Sequence, residues 1–189
     1  MKMWIGCLAS YNNGVLFGEW VDVSTDAEEN ADQIARVLAA SPVKGAEEYM
    51  ISDYEAPGAI ADAFGEYPTA QKLADGARLV DALESHWPDY ADLDAVLGVM
   101  LDGRMGDIAG LADEADEWIS DRYAGEGETL IDWCEEFLDN TGFFGELSGS
   151  NRDQIVQYFN YEAYARDLEL GGDVSSVRVN GRVLVFWNR

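Results

Sequence analysis

Positive charge is scarce: 12 Lys and Arg stand against 37 Asp and Glu in 189 residues, a formal net charge of −25. The pI is near 4.1. Phosphates would be repelled, which argues against nucleic acid as a direct ligand and against binding to an anionic membrane. Histidine occurs once, at His86. Multi-histidine zinc sites are thereby excluded, and a nucleophilic triad would rest on that one imidazole with Glu84 or Asp89 as its carboxylate. Cysteine is limited to Cys7 and Cys134, which predicts two buried thiols and neither a disulfide nor a metal site. No run of 18 apolar residues could cross a membrane. The opening Met1-Lys2-Met3-Trp4 carries no signal-peptide h-region, so a cytoplasmic protein is expected. A P-loop, a dinucleotide fingerprint and a G-x-S-x-G elbow are all missing. Asp89-Tyr-Ala-Asp92-Leu-Asp94 lacks the glycine and the twelfth-position Glu of a calcium loop. None of these motifs supplies a catalytic residue, a cofactor site or a metal site, which leaves carboxylate-only chemistry.

What is present is enough apolar matter for a core, 48% hydrophobic and 12% aromatic residues, and an uneven distribution of acid. Between positions 81 and 140 there are 18 Asp and Glu against two basic residues, Arg104 and Arg122. Leu93, Leu97, Ile108, Leu111, Trp118, Trp133 and Phe137 run through the same stretch at helical spacing. A disordered acidic tail would lack both the aromatics and the period. The stretch therefore predicts folded helices, each with one apolar stripe and one dense carboxylate face.

The fold class expected is α+β: an elongated chain of three small domains at 1–64, 65–103 and 104–189. Residues 3–8 and 15–23 form an antiparallel hairpin about a turn at Tyr11–Gly14, with Asn13-Gly14 suited to positive φ. Thr25-Asp26-Ala27-Glu28 is a capping box for a helix to about Ala40, and 48–55 is a third strand. Together they make an N-terminal three-stranded antiparallel sheet with a helix. After a joint at Gly65–Pro68, a helix capped by Thr69 and a second over 89–101 form a central helical unit. Beyond a joint at Gly103 and Gly106, the C-terminal domain is mainly helical, with helices at about 107–123, 129–140, 152–159 and 161–170, punctuated by glycines from Gly125 to Gly149. A β-hairpin, 174–179 with 182–187, turns at Asn180-Gly181.

Carboxylates at i, i+3 or i+4 on a helix stand about 5–6 Å apart, a spacing broadly like that of phosphates along a DNA strand. Duplex DNA carries one charge per about 1.7 Å, so a net −25 equals about 42 Å, or about 12 base pairs. A solvated acidic face or a halophilic surface is the plainer account. Halophilic acids are spread evenly, however, whereas the first 25 residues here hold only Glu19 and Asp22. Imitation of DNA, a generic acidic chaperone for basic DNA-binding proteins, and a carboxylate-based hydrolase or cation binder all stay open on composition.

Four stretches resemble the antirestriction protein ArdA family: Leu8–Asp22 its opening hairpin, Glu47–Glu55 its acidic third strand, and Asp121–Glu126 and Tyr161–Asp173 its C-terminal motifs. The resemblance implies a non-catalytic DNA mimic that dimerises through its C-terminal domain. Such a protein occupies the DNA-binding groove in the methyltransferase core of type I restriction–modification enzymes, blocking restriction and often modification. Family members are carried by mobile elements. The family's antirestriction motif is then expected within about Asp113–Glu126. On this basis Asp107, Asp113, Glu114, Asp116, Glu117, Asp121, Glu126, Glu128, Asp132, Glu135, Glu136 and Asp139 are expected to stand in for phosphates. Trp4, Trp20, Tyr54, Trp118, Trp133 and Phe137 are expected to hold cores.

Overall fold

A computed structural model describes residues 1–102, 104, 107–145 and 150–188. The joint expected at Gly103 and Gly106 and the break at Gly149 lie outside the described residues. The described residues form a mixed α+β fold of ten helices and two three-stranded sheets. Cα packing divides the chain into two units, Met1–Asp116 and Glu117–Arg189.

In the first unit, β1 (Lys2–Cys7) lies between β2 (Gly18–Asp22) and β3 (Tyr49–Glu55), antiparallel to both. Alternation buries Met3, Ile5 and Cys7 of β1 with Val21 and Ile51. Ile34 and Val37 of helix α2 (Ala27–Ala39) are buried with them. The tight turn expected at Tyr11–Gly14 is instead a short helix, α1 (Leu8–Asn12), closed by Gly14 at φ 75°. Asn13 keeps a negative φ and sends its side-chain amide back to the Ala9 carbonyl at 2.8 Å, so the pair does not form a two-residue turn. The cap of α2 is Asp26, one residue later than the expected Thr25; its carboxylate accepts from the Glu28 N–H at 2.8 Å. A carboxylate at the N-terminus also meets the helix dipole favourably, which a hydroxyl does not.

Helices α3 (Gly58–Phe64), α4 (Ala70–Glu84) and α5 (Tyr90–Leu101) follow, with Thr69 and Asp89 capping the last two as N-cap acceptors. Gly76 lets α3 and α4 close up: a Cβ there would fall 2.3 Å from the Phe64 ring, and Phe64 is buried. Gly76→Ala would gain helix propensity but overpack this contact, so a net loss of about 1–3 kcal/mol is expected in urea unfolding. An unchanged or raised stability would show that Phe64 can move aside.

The helix expected over 107–123 is two, α6 (Ile108–Asp113) and α7 (Ala115–Arg122), broken at Glu114. Gly110 makes the first piece intrinsically weak, and the exposed Asp107 carboxylate folds to within 2.7 Å of where its Cβ would be.

The second unit contains a strand that was not expected, β4 (Tyr123–Gly127), so its sheet has three strands and not a hairpin alone. Two glycines and a register shift between Tyr123 and Gly125 hide it from any propensity argument. Beyond it lie α8 (Leu130–Asn140), α9 (Ser150–Tyr158), α10 (Tyr161–Leu170), β5 (Val174–Val179) and β6 (Arg182–Trp187). Asn180 and Gly181 take φ 50° and 81°, as a type I′ turn requires. β6 is central, and Val183–Phe186 are buried without alternation. Val183 and Val185 join Trp133, Cys134, Leu138, Phe144, Ala165 and Val174 in one core. Thr129 and Asp132 cap α8 reciprocally, a capping box.

Candidate functional site

The carboxylates expected to imitate phosphates are all solvent-exposed: Asp107, Asp113, Glu114, Asp116, Glu117, Asp121, Glu126, Glu128, Asp132, Glu135, Glu136 and Asp139. Helical period explains this on α8. Trp133, Cys134 and Leu138 turn into the core, which leaves Asp132, Glu135, Glu136 and Asp139 at i, i+3, i+4 and i+7 exposed to solvent.

Several of these acids already hold local partners. In the first unit, Arg78 reaches the exposed Asp113 and the buried Asp75, each at 2.7 Å, tying α4 to α6. Arg104 lies 2.8 Å from Asp107 and 3.7 Å from Glu114, and its hydrogen bond holds the Asp107 carboxyl below the usual carboxylate range. His86 lies 3.9 Å from Asp116, so its nearest acid is neither Glu84 nor Asp89. In the second unit, Arg182 holds Glu126 at 2.9 Å, and Asp132 is engaged by Thr129. Asp116, Glu117, Asp121, Glu128, Glu135 and Glu136 make no pair with Lys or Arg among the described residues.

With −25 on 189 residues, repulsion opposes folding over roughly a Debye length, about 30 Å at 0.01 M salt and about 3 Å at 1 M. Raising salt across that range is therefore expected to raise the Tm by several degrees in a thermal scan. A falling Tm would mean that the ion pairs outweigh the repulsion.

The aromatic residues divide. Trp133 is 3% exposed and donates its indole N–H to the Ala124 carbonyl at 3.0 Å. Its ring stacks on Phe137 with centroids 5.3 Å apart at 13°, and Trp187 meets both rings edge-on. Trp118 packs on Phe186 at 5.5 Å. Tyr54 is half-buried against Phe64, its hydroxyl donates to the Gly65 carbonyl at 2.7 Å, and burial pushes its pKa well up. Trp4 and Trp20 do not sit in a core. They pair across β1 and β2 on the sheet's outer face, at 5.8 Å, with Trp20 37% exposed. Lys2 and Trp4 lie on the outward side of β1, whereas Met3, Ile5 and Cys7 alternate into the core.

Both cysteines are free and buried, as their isolation in the sequence predicts. Burial disfavours the Cys7 thiolate, but hydrogen bonds from Ser10 and Ser41 outweigh it and hold that thiol below its ordinary value. Burial, with the charge of Glu135, pushes the Cys134 thiol up. Among the described residues, no group of three or more His, Cys, Asp and Glu side chains is placed to hold a metal ion, and no helix is long and apolar enough to cross a membrane.

One feature escaped sequence reasoning. A cavity of about 750 Å³ lies in the second unit, lined by β4, Glu128, one face of α8 and Arg182. The only trace of it in the sequence is Tyr123-Ala-Gly-Glu-Gly127, a run of small residues that lets a strand approach a helix closely.

A family model described as "Antirestriction protein (ArdA)" matches residues 3–181. No curated protein matches the chain.

Proposed function

This chain belongs to the ArdA family of antirestriction proteins, and we propose that it acts as a homodimeric DNA mimic in the cytoplasm. In this reading it occupies the DNA-binding groove in the methyltransferase core of type I restriction–modification enzymes. Restriction is blocked because the groove is filled, and modification is blocked wherever methylation uses the same groove. No catalysis, cofactor or metal is invoked.

The observation that carries the proposal is the exposure of all twelve carboxylates on a folded scaffold. A basic groove built for phosphates gains the same Coulombic contacts from carboxylates. Carboxylates on a folded backbone order only their side chains when they bind, whereas a disordered acidic tail would also lose backbone entropy.

The test is competition. A purified type I restriction–modification enzyme is held on labelled cognate duplex while the protein is titrated in. The expected result is displacement near stoichiometry with the duplex intact, weakening as salt rises because the groove's cations are screened. Binding to basic proteins without selectivity would favour an acidic chaperone, and turnover or a saturable divalent-ion requirement would favour a hydrolase or cation binder. No displacement by a demonstrably folded protein would overturn the mimic.

A further inference from the structure

The cavity in the second unit has a construction that imitation of phosphates does not call for. Trp133, Glu136, Phe137 and Asn140 sit at i, i+3, i+4 and i+7, so one face of α8 forms its wall. Phe137 lays one face on the buried Trp133 ring, so the aromatic surface offered to the cavity is that of the half-buried Phe137, and Trp187 braces both rings from the edge. β4 packs directly against Trp133, whose indole N–H donates to the Ala124 carbonyl. A Cβ at Gly127 would lie 2.7 Å from the Trp133 backbone nitrogen, and one at Gly125 3.3 Å from the indole nitrogen. Three carboxylates, Glu126, Glu128 and Glu136, line the opening against one cation, Arg182. Arg182 already lays its guanidinium Nε 2.9 Å from Glu126.

We infer that this cavity receives the guanidinium of an arginine side chain from the phosphate-binding surface of the partner, an inference that rests on the proposal that the partner is a DNA-binding enzyme. A guanidinium is planar and weakly hydrated. It stacks on aromatic faces while its edge donates to carboxylates, whereas an ammonium is compact and keeps its water. An aromatic wall with carboxylates at its mouth therefore selects arginine over lysine, which a bare acidic surface does not. The Arg182–Glu126 pair shows that the mouth accepts this chemistry, and an incoming arginine would share or displace that contact. An arginine inserted here is a central anchor within an interface of otherwise interchangeable charge contacts.

The full-length protein, labelled with ¹⁵N, is titrated with N-acetyl-arginine amide and separately with N-acetyl-lysine amide. Saturable shifts are expected at the Gly125 and Gly127 amides, the Trp133 indole N–H and the Asn140 side-chain amide, with arginine binding about fivefold more tightly than lysine. Glu136→Gln should weaken arginine binding about fivefold, and Phe137→Leu, which keeps the apolar volume, should abolish the preference over lysine. Equal response to the two probes would overturn the inference, as would shifts spread over all the acidic helices or indifference to Glu136→Gln. Shifts of the same signals on dilution, with no response to either probe, would assign the cavity to a second copy of this chain and also overturn it. No enzyme enters this titration, so its failure leaves the competition experiment standing, and failed competition leaves the titration unchanged.

Discussion

Replacing Asp116, Glu117, Asp121 and Glu135 together by their amides is expected to weaken inhibition of a type I enzyme about 5- to 700-fold. An exposed charge pair contributes about 0.2–1 kcal/mol. Four removed together amount to roughly 1–4 kcal/mol, at about 1.4 kcal/mol per tenfold change. Any one alone should cost no more than about fivefold, because a neighbouring carboxylate can serve the same cation. Three properties set these four apart. All are exposed, none pairs with Lys or Arg among the described residues, and none lines the cavity. Amide replacement also relieves repulsion in a chain of net charge −25, so the quadruple variant should be at least as stable as the parent. Weakened inhibition would then reflect the missing charge and not unfolding. The measurement is the competition titration at several salt concentrations, where the salt dependence should flatten as the carboxylates are neutralised. Full loss from one of the single changes would contradict distributed mimicry, and so would an unaffected quadruple variant.

The largest effect on stability is expected at Trp133. Its ring is 3% exposed, lies within the core that Val183, Val185 and Leu138 share, and supplies the hydrogen bond to the Ala124 carbonyl. Trp133→Ala removes the packing, leaves a cavity and withdraws a donor from a backbone acceptor. A core Trp→Ala change costs about 3–5 kcal/mol, a large share of the ~5–15 kcal/mol that holds a typical domain folded. Urea unfolding followed by circular dichroism should show the midpoint falling accordingly. Trp20→Ala is the control. That ring is 37% exposed on the outer face of the first sheet, and its loss should cost less than about 1 kcal/mol. Similar losses for the two tryptophans would mean that the core assignment of Trp133 is wrong.

Much of the fold was legible from local chemistry. The helix after Thr25-Asp26, the Thr69 cap, and the Asn180-Gly181 turn depend on neighbours in the chain, and they appear where expected, although α2 buries Ile34 and Val37 while Ala31 and Ala35, expected on its apolar stripe, are exposed. The exposure of the acids was legible for the same reason: on a helix whose apolar stripe is assigned, the remaining positions must face water. Where the signal was non-local, it failed. β4 is a strand because β6 offers it a ladder, and nothing within Tyr123-Ala-Gly-Glu-Gly127 announces one. The outward placement of Trp4 and Trp20 is set by which face of the sheet α2 covers, and hydrophobicity alone points the other way. The pairing of Arg78 with Asp113, 35 residues apart, depends on how α4 and α6 pack.

The sequence by itself determined the charge, its concentration between positions 81 and 140, the helices that carry it and the family resemblance, because composition and period are local properties of the chain. Tertiary structure alone decided that Asp113 and Glu126 keep a guanidinium from far along the chain beside them, and that a glycine-rich strand meets an aromatic helix face to line an open cavity. Those outcomes depend on distances between residues far apart in the chain, which only packing specifies.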